Sequence, residues 1–193
     1  MRKVSFSELV NIDSLKKTAE NIYEDVGIHI GIVDVEGKII IAAGWQDICT
    51  KFHRVHPVTC MRCTISDKYI SDHIMDGGYI YYKCLNNMWD IALPIVISGQ
   101  LATIIFGQFF YEDEVIDKEY FAAQAIEFGF DEKEYLEALS KVPVYSKKKI
   151  EYYASLIVTL AESGLRQLSY ESSQNELEKS RKYLNTIFNS VSD

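Results

Sequence analysis

Apolar residues recur at helical spacing at Ile12, Leu15, Ala19, Ile22, Tyr23 and Val26, with Asn11 or Asp13 available as a cap, so the chain is predicted to open with a helix that Gly27 ends. The period then changes. Residues 28–34 and 38–42 are β-rich runs separated by Glu36-Gly37, a two-residue turn signal that predicts a hairpin. Residues 44–59 mix Trp45, Phe52, His53, His56 and Pro57 with polar positions and follow neither period, as expected of a segment that covers a pocket. Helical spacing returns over 60–75 and stops at Gly77-Gly78, and a short aromatic strand follows over 79–83. Residues 89–97 and 101–110, joined through Gly99-Gln100, are dense in β-branched and aromatic side chains and predict a long hairpin at the centre of a sheet. Further helical patterns over 118–128, 132–139 and from 146 onward place the helices after the strands. The order predicts an α+β fold, an antiparallel sheet with covering helices.

Beyond Gly164 charged and amide residues dominate, while Tyr170, Leu177, Leu184 and Val191 fall at every seventh position. The companion positions Gln167, Gln174 and Arg181 are polar, so the pattern predicts a long C-terminal helix that pairs weakly with the same helix of a second subunit, making a parallel homodimer. The net charge of −8 argues against a direct nucleic-acid surface, since the one tight basic run is Lys147-Lys148-Lys149. The start of the chain does not read as a signal peptide. Its longest apolar stretch, over 91–110, is broken by Pro94, Gly99 and Gly107, so no membrane insertion is expected and the location read from the sequence is the cytoplasm.

The four cysteines, Cys49, Cys60, Cys63 and Cys84, cluster in one part of the chain. Cys60-x-x-Cys63 at a helix start is a spacing that zinc and iron–sulfur sites favour, and Cys49 and Cys84 complete a four-thiolate set if the fold brings them together. Buried free thiols and a redox disulfide are the other readings of the same residues. Trp45, Phe52, Trp89, Phe106, Gln108 and Tyr111 are candidate lining residues of a small-molecule cavity, each also suited to plain core. Asp67 and Asp90 flank this region and can cap backbone or accept a ligand hydroxyl. His53 and His56 are read first as loop residues, His29 and His73 as structural. No phosphate-cradling glycine loop, nucleophile elbow or HExxH motif occurs, so no catalytic residue is assigned.

One combination is more specific than its parts. Ile48-Cys49, then Cys60-Met61-Arg62-Cys63-Thr64-Ile65-Ser66-Asp67, Tyr82-Lys83-Cys84, Asp90-Ile91-Ala92-Leu93-Pro94-Ile95 and Phe106-Gly107-Gln108-Phe109 resemble, in that order, the PocR ligand-binding family. Leu85-Asn86-Asn87-Met88 departs from the His-Ala-Gly-Leu element of many members. The resemblance implies a PAS-like sensory domain over 4–165, followed by a signalling helix over 166–193 into a further module such as a PAS domain or histidine kinase. It also implies a non-enzymatic input role with a small organic ligand of unspecified identity. Two alternatives stand beside it: a redox or metal sensor in which the cysteine cluster is itself the input, and an enzyme with a cysteine nucleophile.

Overall fold

The computed structural model describes residues 10–73, 79–97, 100–159, 163, 174 and 177–183. Helix α1 (Ile12–Val26) starts where Asn11 Oδ1 accepts the Ser14 N–H at 3.0 Å, and it ends at Gly27, whose φ of 73° lets its N–H reach the Tyr23 carbonyl. Strands β1 (Ile30–Asp34) and β2 (Ile39–Ala43) form the expected hairpin. Its turn is organised by Asp34 Oδ1, which accepts the N–H groups of Glu36 at 3.0 Å and Lys38 at 2.9 Å.

Strands β3 (Ile80–Lys83), β4 (Trp89–Ile97) and β5 (Gln100–Tyr111) complete an antiparallel sheet in the order β2-β1-β5-β4-β3. A sixth strand, β6 (Val144–Tyr145), pairs parallel with the end of β5 and has no counterpart in the sequence pattern. Strand β5 is central because β1 and β4 flank it, so both faces of its side-chain alternation are buried. Ile32, Leu93 and Ile104 align on one face, and Phe106 of the same face meets the ring of Tyr153 at 6.5 Å. Val33, Ala92, Ile105 and Tyr82 form the opposite face and pack with Ile70 of helix α2 (Pro57–His73).

Helix α2 begins three residues before the position predicted for it. Pro57 opens it, a favourable first residue because its missing N–H would have had no partner there. The segment before it is not irregular: Ile48–His53 forms a short π-helical stretch that buries Ile48, Cys49 and His53. Helices α3 (Lys118–Phe128) and α4 (Glu132–Ser140) match the sequence pattern, capped by Asp117 and Asp131. With Ile48, Cys49, Met88 and Phe110 they enclose a second apolar cluster around Phe121 and Tyr135.

The chain divides into two compact units, residues 1–154 and 155–193. Residues 147–159 and 177–183 are helical. In the first unit Ile150 and Tyr153 are buried; in the second, Leu177 and Tyr183 are exposed and Lys182 pairs with Glu178 at 3.2 Å. Tyr170, Leu184 and Val191 of the seven-residue series lie outside the described residues. Among the described residues no helix is long and apolar enough to cross a membrane.

Candidate functional site

Between α2, the π-helical segment and the sheet lies a cavity of about 30 Å³, a volume on the order of two water molecules. Its polar wall is drawn from every element around it: Arg54 after the π-helical segment, Ser66 and Asp67 on α2, Tyr82 on β3, Asp90 on β4 and Gln108 on β5. Arg54 Nη2 donates to Asp67 Oδ2 at 2.9 Å and its guanidinium lies 4.4 Å from the ring of Trp45, so the cation is clamped between a carboxylate and an indole. Burial raises the Asp67 carboxyl against the opposing pull of Arg54.

Asp90 sits where the β4–β5 ladder slips. Trp89 faces Phe109 and Asp90 faces Gly107, which leaves Gln108 as an extra residue on β5, a bulge. Asp90 Oδ1 accepts the Gln108 N–H at 3.1 Å, and the Tyr82 hydroxyl is a second hydrogen-bond partner of this carboxyl. Burial, then the nearby Asp67, raises the Asp90 carboxyl to about 7. Gln108 in turn accepts the Gln46 N–H at its Oε1, at 3.1 Å. Asp90 thus caps backbone, through the Gln108 N–H, whereas Asp67 pairs with the Arg54 side chain; both line the cavity.

A hydrogen-bonded chain runs behind the cavity. Asn86 Nδ2 donates to the Thr59 carbonyl at 3.0 Å and to Cys63 Sγ at 3.1 Å. Gln124 Nε2 donates to Asn86 Oδ1 at 3.2 Å, the Tyr135 hydroxyl donates to Gln124 Oε1 at 2.9 Å, and Tyr135 meets His53 Nε2 at 2.6 Å. Burial, followed by Arg62 and Arg54, lowers His53 to about 3, so its ring is neutral at pH 7.

Of the six lining candidates, Trp45 and Gln108 reach this cavity. Phe52 packs instead against Phe130 and Tyr135, and Phe106 points to the other sheet face. Trp89 and Tyr111 line a separate open cleft of about 640 Å³ with Tyr81, Glu114 and Lys147. There Glu114 accepts the Trp89 Nε1–H at 2.8 Å and pairs with Lys83. The sequence reading passed over Arg54, Tyr82 and Asn86. Arg54 carried a signal, one of two cations with Lys51 inside a stretch expected to cover a pocket, whereas Asn86 was visible only as a departure from the family element.

Cys49, Cys63 and Cys84 line the cavity and Cys60 does not. Because α2 starts at Pro57, Cys60 and Cys63 lie beyond its first three residues, where the helix terminus does little for a thiolate. Burial raises Cys49 well above the usual thiol value, Cys63 to about 11, and Cys84 as well, helped by Asp90. Among the described residues no group of three or more His, Cys, Asp or Glu side chains is arranged to hold a metal ion.

Among curated proteins none matches the chain. A family model described as the sensory domain found in PocR matches residues 8–168, a span that includes every residue lining the cavity. The chain belongs to the PocR sensory-domain family.

Proposed function

We propose that this sensory domain reads a small polar organic molecule in the cavity walled by Arg54, Asp67, Asp90 and Gln108. The observation that carries the reading is the enclosure of several polar side chains from separate elements around one void, which general packing would disfavour and a binding site requires. The reading assigns no catalytic role. It treats residues 4–165 as the input domain and 166–193 as the linker to an output module, in a cytoplasmic homodimer.

A route outward supports this. Phe106 lies two residues before Gln108 on the same strand and meets Tyr153, and Phe109 meets Tyr145 of β6 at 5.8 Å, just before the helix that begins at residue 147. A ligand that changes the β4–β5 bulge thereby changes what this helix packs on, and a differential affinity of a few kcal/mol suffices to shift a two-state element.

The test is titration of isotopically labelled protein with a panel of polar organic compounds of two or three heavy atoms, followed by amide and indole NMR shifts. Shifts centred on Trp45, Asp90 and Gln108 are expected; shifts confined to Tyr81, Trp89 and Tyr111 would move the site to the open cleft. A second reading, redox sensing, is favoured by the three thiols sharing the cavity wall. Their raised pKa values weaken it, because a protonated thiol is a poor nucleophile. Native mass spectrometry of anaerobically purified protein distinguishes the two and reports any bound metal.

A further inference from the structure

His53 Nδ1 is a fully buried ring nitrogen with no hydrogen-bond partner, in a residue that lines the cavity. The chain behind it fixes what that nitrogen can do. The Thr59 carbonyl can only accept, so the Asn86 atom that meets it must be the amide nitrogen and the other must be oxygen. Asn86 Oδ1 therefore requires the nitrogen of Gln124, which leaves Gln124 Oε1 facing the Tyr135 hydroxyl. That hydroxyl spends its one proton on Gln124 and presents a lone pair to His53, whose Nε2 must then carry the ring proton. The ring is neutral, so Nδ1 is a bare acceptor.

We propose that His53 is the specificity-determining residue of the cavity: its Nδ1, locked as an acceptor by the Asn86–Gln124–Tyr135 chain, selects a small neutral ligand that carries an O–H or N–H donor. This rests on the cavity being the sensory site. Compounds of the same size that only accept, such as ketones, ethers and carboxylates, leave Nδ1 unsatisfied or oppose it lone pair to lone pair. Tyr135 does not line the cavity and acts as a positioning residue, through the tautomer alone.

The experiment uses the full chain, labelled with ¹⁵N, at pH 7. Histidine ring spectra are expected to show His53 protonated at Nε2 and bare at Nδ1; the opposite tautomer overturns the proposal. Ethanol and acetonitrile, each of about three heavy atoms and only the first able to donate, are then titrated. Ethanol is expected to bind at least about tenfold more tightly, the scale of one buried hydrogen bond left unmade. Tyr135→Phe frees Nε2–H from its acceptor and lets the ring carry its proton at Nδ1, so the ethanol to acetonitrile ratio is expected to collapse or invert. A structural role for Tyr135 would weaken both probes and leave that ratio unchanged, and this result also counts against the proposal. Equal affinity of both probes in the parent chain overturns the role of His53 while leaving the cavity reading standing. Failure of both probes to shift Trp45, Asp90 or Gln108 takes down the cavity reading, and this inference with it.

Discussion

Asp90 and Gln108 hold each other across the β4–β5 ladder: the Asp90 carboxylate accepts the Gln108 N–H at 3.1 Å while Gln108 sits at a left-handed φ of 64°. A non-glycine residue in that region costs on the order of 1 kcal/mol, and the buried hydrogen bond offsets it. The same geometry places the Gln108 side chain on the cavity wall rather than on the opposite sheet face.

A raised Asp90 has a defined signature in stability. The folded state holds the proton up to about pH 7, whereas the ordinary value for the group is 3.8, so its contribution is fully present below about pH 4 and is lost as pH rises towards 7. The span corresponds to at most about 4 kcal/mol. Asp90→Asn keeps an acceptor for the Gln108 N–H and does not titrate, so its urea-unfolding stability should fall much less than that of the parent chain between pH 4 and 7.5. The slope that remains belongs to Asp67, which burial also raises, and to His29 and His53, whose lowered values make stability rise with pH over the same range. Parallel pH profiles for the two proteins would refute the assignment.

Gly107 faces Asp90 so closely that a methyl group has no room. A Cβ built there lies 2.6 Å from both Asp90 Cα and Oδ1, and one of those atoms is backbone. Gly107→Ala should therefore cost about 2–3 kcal/mol and displace the bulge, in the range of overpacked sites. Chemical denaturation gives the first quantity; loss of Gln108 amide protection in hydrogen exchange reports the second. A substitution costing under about 0.5 kcal/mol would show that the ladder yields easily here.

The thiols should label in an order set by burial and, for Cys84, by the neighbouring Asp90. Cys60 is partly exposed and outside the cavity, whereas Cys49 and Cys63 are buried and Cys84 is held protonated beside Asp90. Iodoacetamide on the native chain at pH 8, read by mass spectrometry of peptides, should modify Cys60 first by about tenfold or more. Early modification of Cys63 or Cys84 would mean that the cavity opens readily or that a thiolate forms there, and would strengthen the redox reading.

Leu177 and Tyr183 stand exposed on a helical segment of the second unit, in register with or next to the seven-residue series read from the sequence. Packing against a second copy would cover Leu177. Sedimentation of the chain and of a form ending at residue 165 should give a dimer that dissociates at micromolar concentration and a monomer, respectively. Monomers in both cases would remove the paired signalling helix from the proposal.

Much of the architecture was legible along the chain because its cues are local. Asn11 caps the helix it precedes, Glu36-Gly37 lies in the hairpin turn, and the aromatic and β-branched loading of residues 89–110 identified the central strands. What local cues cannot carry is which way a side chain points once register is fixed. Phe106 and Gln108 are two residues apart on one strand, and alternation alone would put them on one face; the bulge at Gly107-Gln108 sends them to opposite sides. The start of α2 at Pro57 likewise moved the Cys60-x-x-Cys63 pair off the helix terminus, and Cys60 is not among the residues that line the cavity. The sequence alone determined the sheet, its covering helices and the family, since hydrophobic period, caps and ordered motifs are properties of neighbouring residues. Tertiary structure alone decided the site: Arg54 meets Asp67, Asp90 meets Gln108, and His53 reads its tautomer from Asn86 through contacts between residues 13 to 82 positions apart, whose energies depend on a shared burial that no short stretch encodes.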